Sequence, residues 1–147
     1  MSGRLVMGGL ILFSALFGAA LWYFQVYAFY VEENGLTSIS AAGEDLTVTD
    51  YRGIAASSSP LKLRACFQTA WTAEGKEIDP GDPVPLTAPH WFECFDAERI
   101  SRDLQAGKAT SIRAARNEPD GVDRYIALYP DGQAFMWRQL NEKFADQ

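Results

Sequence analysis

The feature that most constrains this chain is a long apolar stretch near its N-terminus, Leu5–Val31. The stretch contains no charged residue, and Gln25 is its one strongly polar side chain. About 20 apolar residues in a helix cross a hydrocarbon core of about 30 Å. Only a helix lets a single span satisfy its own backbone hydrogen bonds in lipid. The stretch therefore predicts a transmembrane helix with its hydrocarbon segment at Leu5–Tyr23.

The length of this stretch favours an uncleaved anchor over a signal peptide. A secretory signal has an apolar segment of about 7–15 residues, followed by a cleavage site with small residues. The small residues here, Gly18, Ala19 and Ala20, lie inside the apolar stretch and are followed by further aromatic residues. Cleavage at this point would leave a sticky aromatic N-terminus. We therefore expect the helix to stay attached.

The two ends of the stretch differ in charge and in aromatic content. Arg4 precedes it, whereas Glu32 and Glu33 follow it. The positive-inside rule therefore places the N-terminus in the cytoplasm and the C-terminal part outside it. Rings at the C-terminal end suit a membrane–water interface. These predicted interface residues are Trp22, Tyr23, Tyr27 and Tyr30.

Charged residues lie almost entirely beyond the stretch. All 19 acidic residues and 12 of the 13 basic residues follow Val31, so that part has a net charge of −7. This balance argues against nucleic-acid binding and against electrostatic docking to anionic lipid. Residues 36–147 are numerous enough for one domain with its own core. The sequence thus divides into an anchor, residues 1–35, and an extracytoplasmic domain, residues 36–147.

Turn residues and alternating apolar residues predict a mainly antiparallel α+β domain. Asn34-Gly35 is expected to end the membrane helix, and Leu36–Asp45 is expected to be a linker. Five or six strands are predicted, with one helix at Ala97–Ala106 whose N-cap is Asp96. The predicted strands are Leu46–Thr49, Tyr51–Ala56, Leu61–Phe67, Ala109–Ala115, Arg124–Tyr129 and Gln133–Leu140. The third of these alternates in polarity and is therefore expected to be half-buried.

Two further segments stand out, a proline-rich stretch and an apolar hairpin. Four prolines at positions 80, 83, 85 and 89 exclude a helix or a central strand, so residues 73–89 are predicted to form a long surface loop. The C-terminal hairpin turns at Pro130–Gly132, and both of its faces are apolar. Either helix and loop cover the two faces, or one face is presented to a partner.

Three segments behind the span form a specific pattern, namely WFECFDAERISRDLQAGKA, GVDRYIALYPDGQAFMW and RQLNEKF. This pattern resembles an uncharacterised family of bacterial single-span membrane-anchored proteins. With the orientation above, the resemblance implies a bacterial inner-membrane protein with a periplasmic domain, and it supplies no site residue. Some proteins of this family are labelled histidine kinases. The sequence does not support that activity, because its one histidine, His90, follows a proline and 147 residues cannot also hold a nucleotide-binding domain.

The two cysteines, Cys66 and Cys94, are candidates for a disulfide. Two cysteines in a small domain outside the cytoplasm usually pair. The bridge would tie the strand Leu61–Phe67 to the start of the predicted helix. One alternative is a pair of buried free thiols. The other is a metal site with His90, which the spacing supports weakly because no second CxxC or HxxxH pair accompanies it.

No pattern in the sequence is typical of a catalytic site. Asp79 with Asp82, or Glu93 with Asp96, offers a carboxylate pair, but most acidic chains contain such pairs. The serines at 57–59 lack a GxSxG elbow, and no phosphate loop or dinucleotide fingerprint is present. We therefore expect no catalytic, cofactor or metal residues. The sequence favours a non-enzymatic accessory or interaction protein attached to a membrane or envelope complex; the alternative is a small-ligand or metal-sensing module anchored to the inner membrane.

Overall fold

The computed structural model describes residues 2–145, and the chain divides into two compact units, Met1–Tyr30 and Val31–Gln147. The first unit is built on the helix α1, Gly3–Val26, none of whose residues is buried. Among the described residues, α1 is the one helix long and apolar enough to cross a membrane. The apolar stretch therefore forms a helix of the length that a membrane anchor needs.

The helix α1 ends at Val26, before the predicted end at Asn34-Gly35. Tyr30–Asn34 forms the strand β1, which pairs with β3 (Glu44–Ala56). The first two residues of this strand, Tyr30 and Val31, are aromatic and β-branched, and such residues favour a strand when a neighbouring strand is available. The prediction that Asn34-Gly35 stops the helix is wrong for the same reason. Gly35, with φ of 77°, lies in the turn after β1 instead.

The predicted interface aromatics lie on both sides of this helix end. Trp22 and Tyr23 belong to the last turn of α1, and Tyr27 is its C-cap residue. The rings of Trp22 and Tyr27 meet edge to face with their centroids 5.2 Å apart. Tyr30 is the first residue of β1 rather than part of the helix.

The second unit is built on an antiparallel sheet, which has seven strands over residues 2–145. Besides β1 and β3, these are β2 (Ser38–Ala41), β4 (Arg64–Thr69), β5 (Thr110–Ala115), β6 (Val122–Leu128) and β7 (Gln133–Leu140). The order is β1-β3-β4-β7-β6-β5, and β2 pairs with the first part of β3. The helices are α2 (Ala97–Gln105) and α3 (Glu142–Ala145), and a 3-10 turn spans Pro60–Lys62. The predicted α+β class, with a membrane-type helix before a mainly antiparallel sheet, is confirmed.

Two predictions about the start of the domain are wrong. The expected linker, Leu36–Asp45, contains β2 and the start of β3. Ile39 and Ala41 are buried while Ser38 and Ser40 are exposed, an alternation too short to stand out in the sequence. The two strands predicted on either side of Asp50 form one strand, β3. A register shift interrupts this strand where Asp50 has φ of 53°.

The strand predicted as half-buried is buried on both faces. It begins at Arg64, because Leu61 and Lys62 belong to the 3-10 turn. Arg64 and Cys66 are only 5% and 9% exposed, although the alternation placed them on the polar face. The proline-rich loop covers this face. The Arg64 guanidinium donates hydrogen bonds to two carbonyl oxygens of that loop, which satisfies a buried cation that polarity patterns cannot anticipate.

The C-terminal hairpin is covered on both faces, so the first of the two alternatives holds. One set of its side chains joins the main core under β2, β3 and β5, and consists of Ile126, Leu128, Ala134 and Met136. The opposite set includes Tyr125, Phe135 and Trp137, all at most 4% exposed. Phe95, just before α2, packs its ring edge-on against those of Phe135 and Trp137, with centroids 6.1 and 6.3 Å away.

Candidate functional site

An open groove of about 1040 Å³ lies at one end of the sheet. Its walls come from the start of β3, the end of β4 with the segment after it, the turn between α2 and β5, and the β6–β7 turn. The side chains lining this groove carry hydroxyls, carboxylates and two aromatic rings beside apolar groups; they include Asp45, Thr47, Thr49, Gln68, Thr69, Ala70, Trp71, Thr72, Ala73, Glu74, Lys108, Thr110, Leu128, Tyr129, Pro130 and Asp131. The groove therefore combines apolar surface with hydroxyl and carboxylate groups, and it is aromatic at two points.

Trp71 is held in the groove wall by Thr69. The buried hydroxyl of Thr69 donates to the carbonyl oxygen of Thr47 at 2.9 Å and accepts from the backbone N–H of Trp71 at 3.2 Å. The backbone N–H of Thr69 donates to the carbonyl oxygen of Gly132, which ties β4 to the β6–β7 turn. Gly132 has φ of 92°, and a side chain there would approach this backbone closely. The groove wall is thus fixed from both sides.

The ammonium group of Lys76 lies at the edge of the groove between Trp71 and Glu44, and we name this site the Trp71–Glu44 cage. The Lys76 ammonium lies 2.8 Å from Glu44 Oε2 and 4.5 Å from the centre of the Trp71 ring. Trp71 Nε1 donates to the same carboxylate oxygen at 2.9 Å, which orients ring and carboxylate relative to each other. The hydrogen bonds from Lys76 and then from Trp71 lower the pKa of Glu44, so this carboxylate stays charged.

Tyr129 connects the groove to the helix α2. Its hydroxyl donates to Asp103 Oδ2 at 2.6 Å, and its ring meets that of Phe135 edge-on at 5.6 Å. Burial, and then the hydrogen bond to Asp103, raise the pKa of Tyr129 to about 12. Burial also raises the pKa of Tyr51 in the main core to about 12. Both phenols are therefore neutral in the folded protein at physiological pH.

These two tyrosines predict a loss of stability at alkaline pH. An unperturbed tyrosine ionises near pH 10, so the neutral phenols stabilise the fold fully below about pH 10, and this contribution is lost as pH rises toward about 12. The tyrosinate absorbance is measured against pH for the native protein and for Tyr129→Phe, and the difference between the two curves is expected to have its midpoint near pH 12. The same measurement with Tyr51→Phe is expected to give a midpoint near pH 12 for Tyr51. A difference curve centred near pH 10 in the folded protein would contradict this assignment.

Residues 79–82 of the proline-rich loop are bound to the edge of the sheet. The backbone N–H of Arg113 in β5 donates a hydrogen bond to the carbonyl oxygen of Asp79. The hydroxyl of Ser111 donates a hydrogen bond to the carbonyl oxygen of Pro80 at 2.7 Å. Tyr125 accepts from the backbone N–H of Asp82. Gly81 lies against the Tyr125 ring, where a side chain would clash. This segment is a layer of the fold rather than a lid.

Two buried polar side chains hold the rest of this segment. Gln139 accepts from the backbone N–H of Val84 at 2.6 Å and from Trp137 Nε1 at 2.9 Å, and it donates to the carbonyl oxygen of Asp82 at 2.8 Å. Arg64 donates to the carbonyl oxygens of Leu86 and Thr87, further along. Residues 79–87 are therefore bound to the sheet by hydrogen bonds along their length. The groove borders the preceding segment, at Trp71 and residues 72–74.

The two cysteines form a disulfide, with their Cα atoms 6.3 Å apart. The bridge ties Cys66, in the middle of β4, to Cys94, just before the N-cap of α2, and so closes the long loop covalently. Because both sulfurs are used in this bond, the alternative metal site with His90 is wrong. Over residues 2–145, no group of three or more His, Cys, Asp or Glu is placed to hold a metal ion.

Two of the four carboxylates considered as acid–base pairs, those of Asp79 and Asp96, have structural contacts. Asp79 lies 3.3 Å from the Nε of Arg113 in an ion pair, and it accepts from the backbone N–H of Gly81. Asp96 caps α2 as predicted, since its Oδ1 accepts from the backbone N–H of Arg99. Glu93 is exposed beside the disulfide.

The serines at 57–59 directly precede the 3-10 turn, which contains Leu61. Ser59 accepts a hydrogen bond from this N–H. Its hydroxyl thus caps a turn, which is the commonest structural use of a serine in this position.

Sequence reasoning did not identify the buried polar residues of the β6–β7 hairpin or the groove itself. Asp123 is 1% exposed, accepts hydrogen bonds from Asn117 and Asn141, and lies 3.6 Å from an Arg113 nitrogen. The groove residues come from four separate segments, each unremarkable by itself. The one available signal was a cluster of threonines with a tryptophan at 69–72, directly after a predicted strand.

Comparison with known proteins finds one match and two negative results. No curated protein and no solved structure matches the chain. The sequence model described as a family of unknown function, DUF6446, matches residues 35–147, and this confirms the resemblance to an uncharacterised family. The match begins directly after β1 and includes every segment that forms the groove, and the chain therefore belongs to the DUF6446 family.

Proposed function

We propose that this protein is a membrane-anchored interaction protein without catalysis of its own, whose groove binds another protein of the membrane or envelope. The observation that carries the proposal is the groove itself. It is open, it offers hydroxyl and carboxylate groups along its walls, and it presents the Trp71 and Tyr129 rings. Tryptophan and tyrosine side chains are enriched at protein-binding sites. The apolar helix α1 supports attachment to a membrane.

The chemistry of the groove supports binding rather than catalysis. Its lining includes no histidine and no cysteine, so the usual nucleophile–base pairs of hydrolases are not available there. The carboxylates Asp45, Glu74 and Asp131 are contributed by three different segments. A groove of this kind can orient a peptide segment through hydrogen bonds and ring contacts, which is the role we assign to it.

The charge distribution and the disulfide support a domain outside the cytoplasm. Arg4 precedes the helix while Glu32 and Glu33 follow it, as the positive-inside rule requires for a cytoplasmic N-terminus. A disulfide such as Cys66–Cys94 persists in oxidising compartments and is rare in the cytosol. In a bacterium, these features together favour the periplasmic face of the inner membrane.

Crosslinking and capture in mild detergent test the proposal. The full chain, tagged after Gln147, is expected to recover a membrane or envelope protein in a fixed ratio. Thr49 is exposed on the groove wall, so Thr49→Trp fills the groove without changing charge. We expect this variant to reduce recovery about tenfold, which corresponds to about 1.4 kcal/mol of binding free energy.

The matched control is Thr37→Trp, an exposed threonine that does not line the groove and should leave recovery unchanged. A chain that stays a lone monomer under crosslinking would overturn the proposal. So would equal recovery by Thr49→Trp and the unmodified chain. Strong thermal stabilisation by a metabolite, abolished by Thr49→Trp, would instead support a small-ligand module.

A further inference from the structure

We propose that the groove recognises an extended polypeptide segment carrying lysine, and that Lys76 occupies the lysine site when no partner is bound. This inference rests on the proposed function and specifies the chemistry of the partner. It starts from the Trp71–Glu44 cage, in which a ring face and a carboxylate meet at one ammonium group. Cages of this kind bind ammonium groups, because the ring quadrupole and the carboxylate both attract a cation.

The cation in the cage can be exchanged. The side chains of Lys76 and Glu44 are 38% and 50% exposed, so both groups are in contact with water. Exposed ion pairs contribute little to stability, and replacing one ammonium by another costs the fold correspondingly little. Lys76 lies in a turn with Gly75 at φ of 70°, ahead of the segment that begins at Asp79 and is bound to β5.

The charges of the groove favour a basic partner. Asp45, Glu74 and Asp131 line it, and Lys108 is the one basic side chain among its lining residues. Glu44 adds a further carboxylate at the edge. The chain beyond Val31 has a net charge of −7, so attraction of a basic segment extends past the groove itself. The threonine hydroxyls along β3 offer hydrogen bonds to a peptide backbone.

Binding of a labelled decalysine peptide to the full chain in uncharged detergent tests this proposal by fluorescence anisotropy. Glu44→Gln retains an acceptor for Trp71 Nε1 but removes the charge, and it is expected to weaken binding about threefold. Lys76→Ala empties the cage and is expected to strengthen binding by about the same factor. Binding should weaken as salt is added, since the interaction is electrostatic and exposed.

Matched control residues lie in and beside the C-terminal helix α3, away from the groove. Lys143 also pairs with a carboxylate, Asp120, at 2.5 Å and lies 5.5 Å from the centre of an aromatic ring, that of Phe144. Lys143→Ala removes one positive charge, as Lys76→Ala does, and is its control. Glu142→Gln removes one negative charge, as Glu44→Gln does, and is the control for that variant. Both controls should leave decalysine binding unchanged. Equal effects of a control and its groove variant would overturn the proposal, because net charge alone would then explain binding.

Two further arms complete the test. Spermine carries ammonium groups without a peptide backbone, and inhibition by spermine as strong as that by unlabelled decalysine would overturn the assignment to a polypeptide. Partner capture that depends on Thr49 but is unaffected by Glu44→Gln and Lys76→Ala would overturn the lysine site and leave the interaction function standing. If partner capture depends neither on Thr49 nor on Glu44 and Lys76, both the lysine site and the interaction function are overturned.

Discussion

Replacing Cys66 or Cys94 by alanine is expected to lower the free energy of unfolding by about 3 kcal/mol, because the bridge closes a loop between residues 28 apart in sequence. Each change removes the same bond, so the two losses should be similar. Urea unfolding of the full chain in mild detergent, followed by tryptophan fluorescence, measures the difference. Most of the effect should appear as earlier unfolding of the loop, which the bridge joins to β4.

The double variant and a reductant provide the control for the disulfide. Dithiothreitol should destabilise the unmodified chain as much as the substitutions do, and it should have no effect on the variant lacking both cysteines. Alkylation of intact cells should leave both thiols unlabelled until the protein is reduced. Full labelling of both cysteines without reductant would show that the bond is absent in cells and would remove the support for an oxidising compartment.

Gln139→Leu is expected to destabilise the domain by about 3 kcal/mol, since it leaves three polar groups without their partner. The most buried of these is Trp137 Nε1, whose residue is 0% exposed. The others are the backbone N–H of Val84 and the carbonyl oxygen of Asp82, both in the loop. Hydrogen exchange at Val84 should accelerate along with the global loss, because Gln139 accepts the hydrogen bond that protects this amide.

Gln133→Leu is the matched control for this prediction. Gln133 begins the same strand, is only partly buried, and lies away from the loop segment that Gln139 holds. It is expected to change the free energy of unfolding by about 0.5 kcal/mol or less. Similar losses for the two variants, or unchanged exchange at Val84, would show that Gln139 is not what holds the loop to the sheet.

Local signals predicted several elements of the fold correctly. The helix α2 was expected at Ala97–Ala106 and occupies Ala97–Gln105, with Asp96 as its cap. The β6–β7 turn at Pro130–Gly132 was also predicted. In both cases the determining residues lie within one or two turns of chain, so the sequence contains the whole signal.

Elements whose stability depends on distant partners could not be predicted in this way. The strand β1 begins with the last two residues of the apolar stretch, Tyr30 and Val31, and its pairing with β3 decides that it is a strand. The strand β2 is four residues long and polar on one face. Arg64 is buried because a loop more than twenty residues later supplies carbonyl oxygens for it. The groove was missed for the same reason, since Glu44 and Trp71 meet only in the folded domain.

The strand order has a consequence for how the domain folds. The strands β3 and β4 form one part of the sheet and β5, β6 and β7 another, and the two parts join where Arg64 of β4 is aligned with Trp137 of β7. The second partner of β4, after β3, is therefore β7, the last strand of this sheet along the chain. Until β7 pairs with it, one edge of β4 and the apolar side chains of β4 remain uncovered. Pairings between such distant segments form slowly, and unpaired strand edges favour aggregation in the meantime. The pairing of β7 with β4 therefore determines when the domain is protected from aggregation.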